Sequence, residues 1–202
     1  MILLRIELPY FRIDSAYGGV QDWFPNFMMR EGGCAAVTAC DCSIYFQLYR
    51  QSKNLYPFDI HGISRQDYVK FADIMKPYLH PRWTGIDRLD IYIDGFTKFL
   101  RDRYENRIEL LPWDGSKNLF ATRILIKNQI DAGYPIPCLV LNHSNPTMRD
   151  YYWHWFILNG YEDSQKFLVK AVTYGSWRWI NLATLWDSGS DHRGGLIIFN
   201  QI

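Results

Sequence analysis

Gly32-Gly33-Cys34-Ala35-Ala36-Val37-Thr38-Ala39-Cys40 is the stretch on which the reading of this chain turns. Two glycines let the backbone turn sharply. Ala36, Cys40, Ile44 and Leu48 then recur at four-residue spacing, an apolar helical stripe over 34–50. Cys34 stands in the first turn of that helix, where unpaired N–H groups and the helix dipole favour an anion. A thiolate is such an anion, and it is the nucleophilic form of cysteine. The Cys34 N–H could also help hold an oxyanion. A small core cysteine after a Gly-Gly turn is the competing reading of the same residues.

A thiolate nucleophile needs an imidazole beside it. The histidines are His61, His80, His143, His154 and His192. His154 begins an apolar run, Tyr151-Tyr152-Trp153-His154-Trp155-Phe156-Ile157-Leu158-Asn159-Gly160-Tyr161, and the start of a strand can face a cleft. The alternative for a lone histidine among aromatics is a structural role. His143 and His192 fall in polar loops, where solvent exposure is expected, and His61 and His80 flank turn residues.

Around these two points the chain divides in character. Residues 2–8 read as a strand, and 14–33 as an irregular loop rich in glycine. Ser64 and Asp67 resemble a capping box that opens a helix to about Met75. A second helix is expected from Asp87 to Tyr104, with Ile91, Phe96, Phe99 and Leu100 on its buried face. A third runs from Asn118 to Ala132 and stops at Gly133. Thereafter Cys138–Leu141, Trp153–Leu158, Lys166–Thr173, Trp177–Ile180 and Gly195–Asn200 read as strands of an antiparallel sheet. The expectation is α+β: a helical part over about 34–132 packed on a sheet over about 136–200.

Composition bounds the function. The chain has 202 residues, 48% of them hydrophobic, which suits one domain with a substantial core. Its 22 Lys and Arg against 21 Asp and Glu give no basic excess to recruit nucleic acid or an anionic membrane. Arg5 and Glu7 interrupt the short apolar start, so it does not read as a signal peptide, and no apolar run is long enough for a membrane span. Reduced thiols at Cys34, Cys40, Cys42 and Cys138, and a cytoplasmic location, are therefore the expectation. No nucleotide-binding glycine motif is found. Cys40-Asp41-Cys42 has one intervening residue where zinc pairs have two to four, so no metal or other cofactor is expected. The Trp-rich end, with Trp153, Trp155, Trp177, Trp179 and Trp186, reads equally as strand packing or as the lining of a groove.

Taken together, these residues resemble the papain-like superfamily, most closely its bacterial peptidase C39-like branch. Gly33-Cys34 matches the Gly-Cys that opens the family's helix. Gly133-Tyr134-Pro135-Ile136, running on to Leu141, matches its Gly-Tyr/Val-Pro-hydrophobic strand. His154 through Gly160-Tyr161 matches its His-hydrophobic-Gly-Tyr strand. The resemblance spans roughly 14–200, with 50–117 matching in character only. It implies a papain-like fold over 1–202, with Cys34 as nucleophile, His154 as base and then acid, and a peptide or amide as substrate. An upstream amide would stabilise the oxyanion: Gln21 first, although it lies farther ahead of the cysteine than the family places it, and Asn26 in reserve. The third member departs from the family. Val172 stands where an orienting Asn or Asp is expected, leaving Thr173 or Asn159 to orient the imidazole. Three activities stay open: cysteine hydrolase, acyltransferase or transglutaminase-like enzyme on the same pair, and non-catalytic binding domain.

Overall fold

The structure is a computed structural model that describes residues 4–202. Of the expected first strand, residues 2–3 lie outside this range; the rest is β1 (Leu4–Glu7). The glycine-rich stretch that follows is more ordered than its composition suggests. It contains a two-residue hairpin, β2 (Arg12–Ile13) with β3 (Ala16–Tyr17), then a 3-10 turn over Gln21–Trp23 and the short helix α1 (Phe27–Gly32). α2 (Cys34–Tyr49) begins at the expected cysteine. It is not one-sided: from Cys34 to Phe46 every residue but Val37 is buried. A helix apolar all round belongs inside a fold, and α2 packs against the sheet on one side and the next helix on another.

That next helix, α3 (Arg65–Met75), starts at the expected cap, with the Asp67 N–H donating to Ser64 Oγ at 3.1 Å. Caps of this kind are worth about 1 kcal/mol. α4 (Leu89–Asp102) buries Tyr92, Phe96, Phe99 and Leu100, whereas Ile91 is only half-buried. Its Tyr92 ring stacks on Trp155 at 4.4 Å and 21°.

The helical half also holds a strand that the sequence reading misses. β4 (Ile108–Asp114) pairs along its whole length with the last strand, from Ile108 opposite Gln201 to Asp114 opposite Gly195. It sits at the sheet edge, the place where Pro112 is tolerated because one side of the strand needs no N–H. α5 (Leu119–Asp131) follows, capped by the Asn118 side chain and ended by Gly133 at φ +81°.

The remaining strands are β5 (Ile136–Val140), β6 (His154–Asp163), β7 (Phe167–Thr173) and β8 (Ser176–Asn181); after the short α6 (Leu182–Trp186) comes β9 (Gly195–Gln201). All seven strands of the main sheet pair antiparallel, in the order β4-β9-β5-β6-β7-β8, with β1 also beside β6. The architecture is α+β, as expected, but the sheet draws β1 and β4 from the first half of the chain. β6 is its spine. β5 pairs with the start of β6 and β1 with its end, across a bulge between Leu158 and Tyr161. Among the described residues no helix is long and apolar enough to cross a membrane.

Candidate active site

The site begins where α1 breaks into α2. A Cβ on Gly33 would lie 2.2 Å from the Met29 carbonyl oxygen, so only glycine passes this junction. Gly33 brings no capping side chain, and the first bond of α2 runs from the Val37 N–H to the Gly33 carbonyl at 3.0 Å. The N–H groups ahead of it are free for other partners. The backbone N–H groups of Trp155 from β6, Ala35 and Cys34 act to lower the Cys34 pKa. These donors favour the thiolate, yet Cys34 is only 5% exposed and burial outweighs them, pushing the thiol above its ordinary value. The helix start alone therefore does not make the resting thiolate that the sequence leads one to expect.

His154 is the first residue of β6, and the next residue, Trp155, is the one whose N–H acts on the Cys34 thiol, so the strand that carries the imidazole also runs past the cysteine. Trp153 just before it adopts a left-handed backbone, φ +52°, which is costly for a bulky residue and redirects the chain as the strand begins. His154 Nε2 lies 2.7 Å from Thr173 Oγ1. The Tyr174 ring lies parallel to the imidazole, 4.7 Å away at 3°. Burial of His154 drives its pKa down to about 4. Tyr174 donates to the Asp150 carbonyl at 3.1 Å, and its phenol is pushed up to about 12 by burial, with Cys34 among the charges that add to the shift.

Thr173 reaches the histidine because of a two-residue turn. Tyr174 and Gly175 both have positive φ, +52° and +68°, and join Thr173 to Ser176 in the manner of a type I′ hairpin. Val172 points to the opposite face of β7 and is buried between Ile157 and Trp177, its neighbours on the adjacent strands. The residue that meets the imidazole thus lies one position after Val172, and one residue is what turns a strand side chain to the other face. Tyr174 was not foreseen; the Tyr-Gly pair between two strand-like runs was its available signal.

The other candidates have partners of their own. Asn159, five residues along β6, donates to the Tyr17 hydroxyl at 3.2 Å and is not brought to His154. Asn26 caps α1, accepting from the Met29 N–H at 3.1 Å. Gln21 donates to the Arg30 carbonyl at 2.5 Å, which ties the 3-10 turn to α1 just ahead of Cys34; its Oε1 is buried without a partner. His143, expected in solvent, is buried between the Thr184 carbonyl at 2.8 Å and the Asn145 N–H at 3.1 Å. Cys40 and Cys42 lie in the core. Of the tryptophans, Trp155 is core, with its Nε1 bonded to the Ile86 carbonyl at 2.6 Å, whereas Trp153 and Trp177 are exposed.

Above the sulfur lies a cleft of about 300 Å³, lined by Glu31, Gly32, Cys34, Trp83, Thr84, Gly85 and Trp153. Its lips are the two indoles, Trp83 at 83% exposure and Trp153 against the His192 ring at 5.4 Å. Cys34 is the one thiol that lines this cleft. No family model, curated protein or solved structure matches this chain.

Proposed function

We propose that this protein is a cysteine hydrolase of peptide or amide bonds, built on a papain-like, peptidase C39-like fold. One observation carries the reading: Thr173 holds one nitrogen of His154, while the N–H of the next residue, Trp155, acts to favour the Cys34 thiolate. With Nε2 donating to Thr173, Nδ1 is left as the basic nitrogen for the thiol.

In the first step Nδ1 takes the Cys34 proton as the sulfur–carbon bond forms, and the carbonyl electron pair moves to oxygen. The N–H groups of the first turn of α2 are the donors nearest to that charge. Collapse breaks the C–N bond, and the imidazolium gives its proton to the departing amine. Water then attacks the thioester, passing one proton through His154 back to the sulfur. The neutral resting pair fits a proton transfer that accompanies attack, not a thiolate formed beforehand.

The test is acylation by an activated ester, followed by intact mass. A single acetyl group on Cys34, lost on standing and absent from His154→Ala, supports the hydrolase. An unmodified Cys34, or acylation indifferent to His154→Ala, overturns it. Faster loss of the acyl group with added alkylamine identifies transfer to an amine in place of hydrolysis.

A second reading, a binding domain without catalysis, has its own observation. Burial drives thiol and imidazole toward their neutral forms together, which makes proton transfer between them uphill. It predicts an unreactive Cys34 in the same experiment.

A further inference from the structure

Asp41 lies two turns after Cys34 on α2 and is 3% exposed. A buried carboxylate is costly unless its oxygens are hydrogen-bonded. Tyr68 of α3 donates to Oδ1 at 2.7 Å, and Tyr10 donates to Oδ2 at 2.9 Å. The Gly19 N–H meets both oxygens at 3.2 Å. Two of these three donors belong to one segment, residues 10–19. Gly19 passes so close that a Cβ there would lie 1.9 Å from the Tyr68 hydroxyl. The carboxylate thus fastens the segment that carries the β2–β3 hairpin to the helix that begins at Cys34.

The same segment reaches the histidine. Tyr10 stacks on Tyr17 at 5.0 Å and 20°, and the Tyr17 N–H donates to the Gly175 carbonyl at 2.8 Å. A Cβ on Gly175 would fall 2.7 Å from Val20 and 3.1 Å from Ala16, so the turn is seated directly on the loop. Thr173 and Tyr174, which hold and cover His154, enter and form that turn. Two residues beyond Gly19 comes Gln21.

We propose that Asp41 is a positioning residue: its carboxylate clamps residues 10–19 onto the Cys34 helix, and that segment fixes the Thr173–Gly175 turn against His154. The inference rests on the reading of Cys34 and His154 as the reacting pair. It accounts for a charged residue placed inside the most buried helix of the fold, between Cys40 and Cys42, where an apolar side chain would pack at less cost. The coupling path is made of contiguous hydrogen bonds and stacked rings, the kind of network that transmits a shift of position.

The experiment follows the His154 imidazole by NMR titration in Asp41→Asn, Tyr10→Phe and Tyr68→Phe, alongside acylation of Cys34. Loosening the turn hydrates the ring, so the midpoint rises by about one unit or more toward the ordinary value of about 6.5. Removing a nearby negative charge alone would move it down, so the direction separates positioning from through-space electrostatics. Tyr10→Phe shares the rise because its hydroxyl belongs to the loop. Tyr68→Phe costs the carboxylate a similar bond from α3 and leaves the midpoint in place. An unchanged or lowered midpoint in Tyr10→Phe, or an equal rise in Tyr68→Phe, overturns the proposal. Tyr10→Phe decides alone if Asp41→Asn does not fold. The titration needs no turnover, so a moving His154 with an inert Cys34 refutes the hydrolase and leaves the clamp standing.

Discussion

Thr173 Oγ1 stands 2.7 Å from His154 Nε2, in the place a papain-like enzyme gives to an amide or carboxylate. A hydroxyl can accept the imidazole N–H and fix the tautomer, but it brings no charge to stabilise an imidazolium. On the proposed reading of His154 as a base, the arrangement orients it without strengthening it.

Replacing Thr173 with Val keeps the shape and removes the oxygen. Nε2 then loses its partner in a buried setting, a penalty of about 1–3 kcal/mol. Acylation of Cys34 is expected to slow about tenfold or more, since a misplaced base is a poor one. Thr173→Ser, which restores the oxygen, recovers most of the rate. Stopped acylation time courses on the three proteins check this; equal rates in Thr173→Val and wild type would remove Thr173 from the mechanism.

The stability of the protein in mild acid carries the mark of His154. Its folded pKa, about 4, lies below the ordinary 6.5, so the unfolded chain takes up the proton first as pH falls. The stabilisation from keeping the ring neutral is fully present above about 6.5 and is lost as pH falls toward 4. The full effect is on the order of 3 kcal/mol. Asp41, raised to about 6 chiefly by burial, titrates in the same window with opposite sign. The quantity to measure is therefore the difference in unfolding free energy between wild type and His154→Gln, where the Asp41 contribution cancels. That difference grows from pH 4 to about 6.5 and is level above; a flat difference contradicts the burial of a neutral ring.

Gly175→Ala puts a side chain on a left-handed residue, at φ +68°, against Val20 and Ala16. Strain of this kind costs about 1–3 kcal/mol. Thermal unfolding is expected to fall by several degrees. Acylation of Cys34 falls too, because the turn carries Thr173 and Tyr174. For the melting temperature, Gly85→Ala is the matched comparison: it is also left-handed, at φ +68°, but nothing lies within 4 Å of its Cβ.

Trp153→Gly relieves the left-handed backbone at φ +52° and removes one lip of the cleft. The backbone gain is set against lost packing on His192, so the melting temperature is expected to change little. Substrate concentration at half-maximal rate rises while the acylation rate at saturation is kept. A proportionate loss of both would instead place Trp153 in the support of His154.

Much of this molecule is local in origin. Gly32-Gly33 before an apolar helical stripe sets a helix that starts at Cys34. Ser64 with Asp67, Asn118 and Gly133 mark helix ends by hydrogen bonds within a few residues. The late apolar runs are short and bounded by turn residues, as strands are. Such features need no distant partner, so they can be read from the chain itself. β4 could not be read in this way, since its pairing partner, β9, lies at the far end of the sequence.

The site divides along the same line. Cys34 and His154 were legible as residue types in the right settings: a helix start and a strand start. Tertiary structure alone decided that Thr173 and not Asn159 meets the imidazole, that Tyr174 covers it, and that Asp41 bonds Tyr10 and Gly19. It also decided which way each of the two groups is shifted. A helix dipole is a local property that favours the thiolate, but burial is conferred by every element packed around Cys34 and His154, and here it is the larger effect.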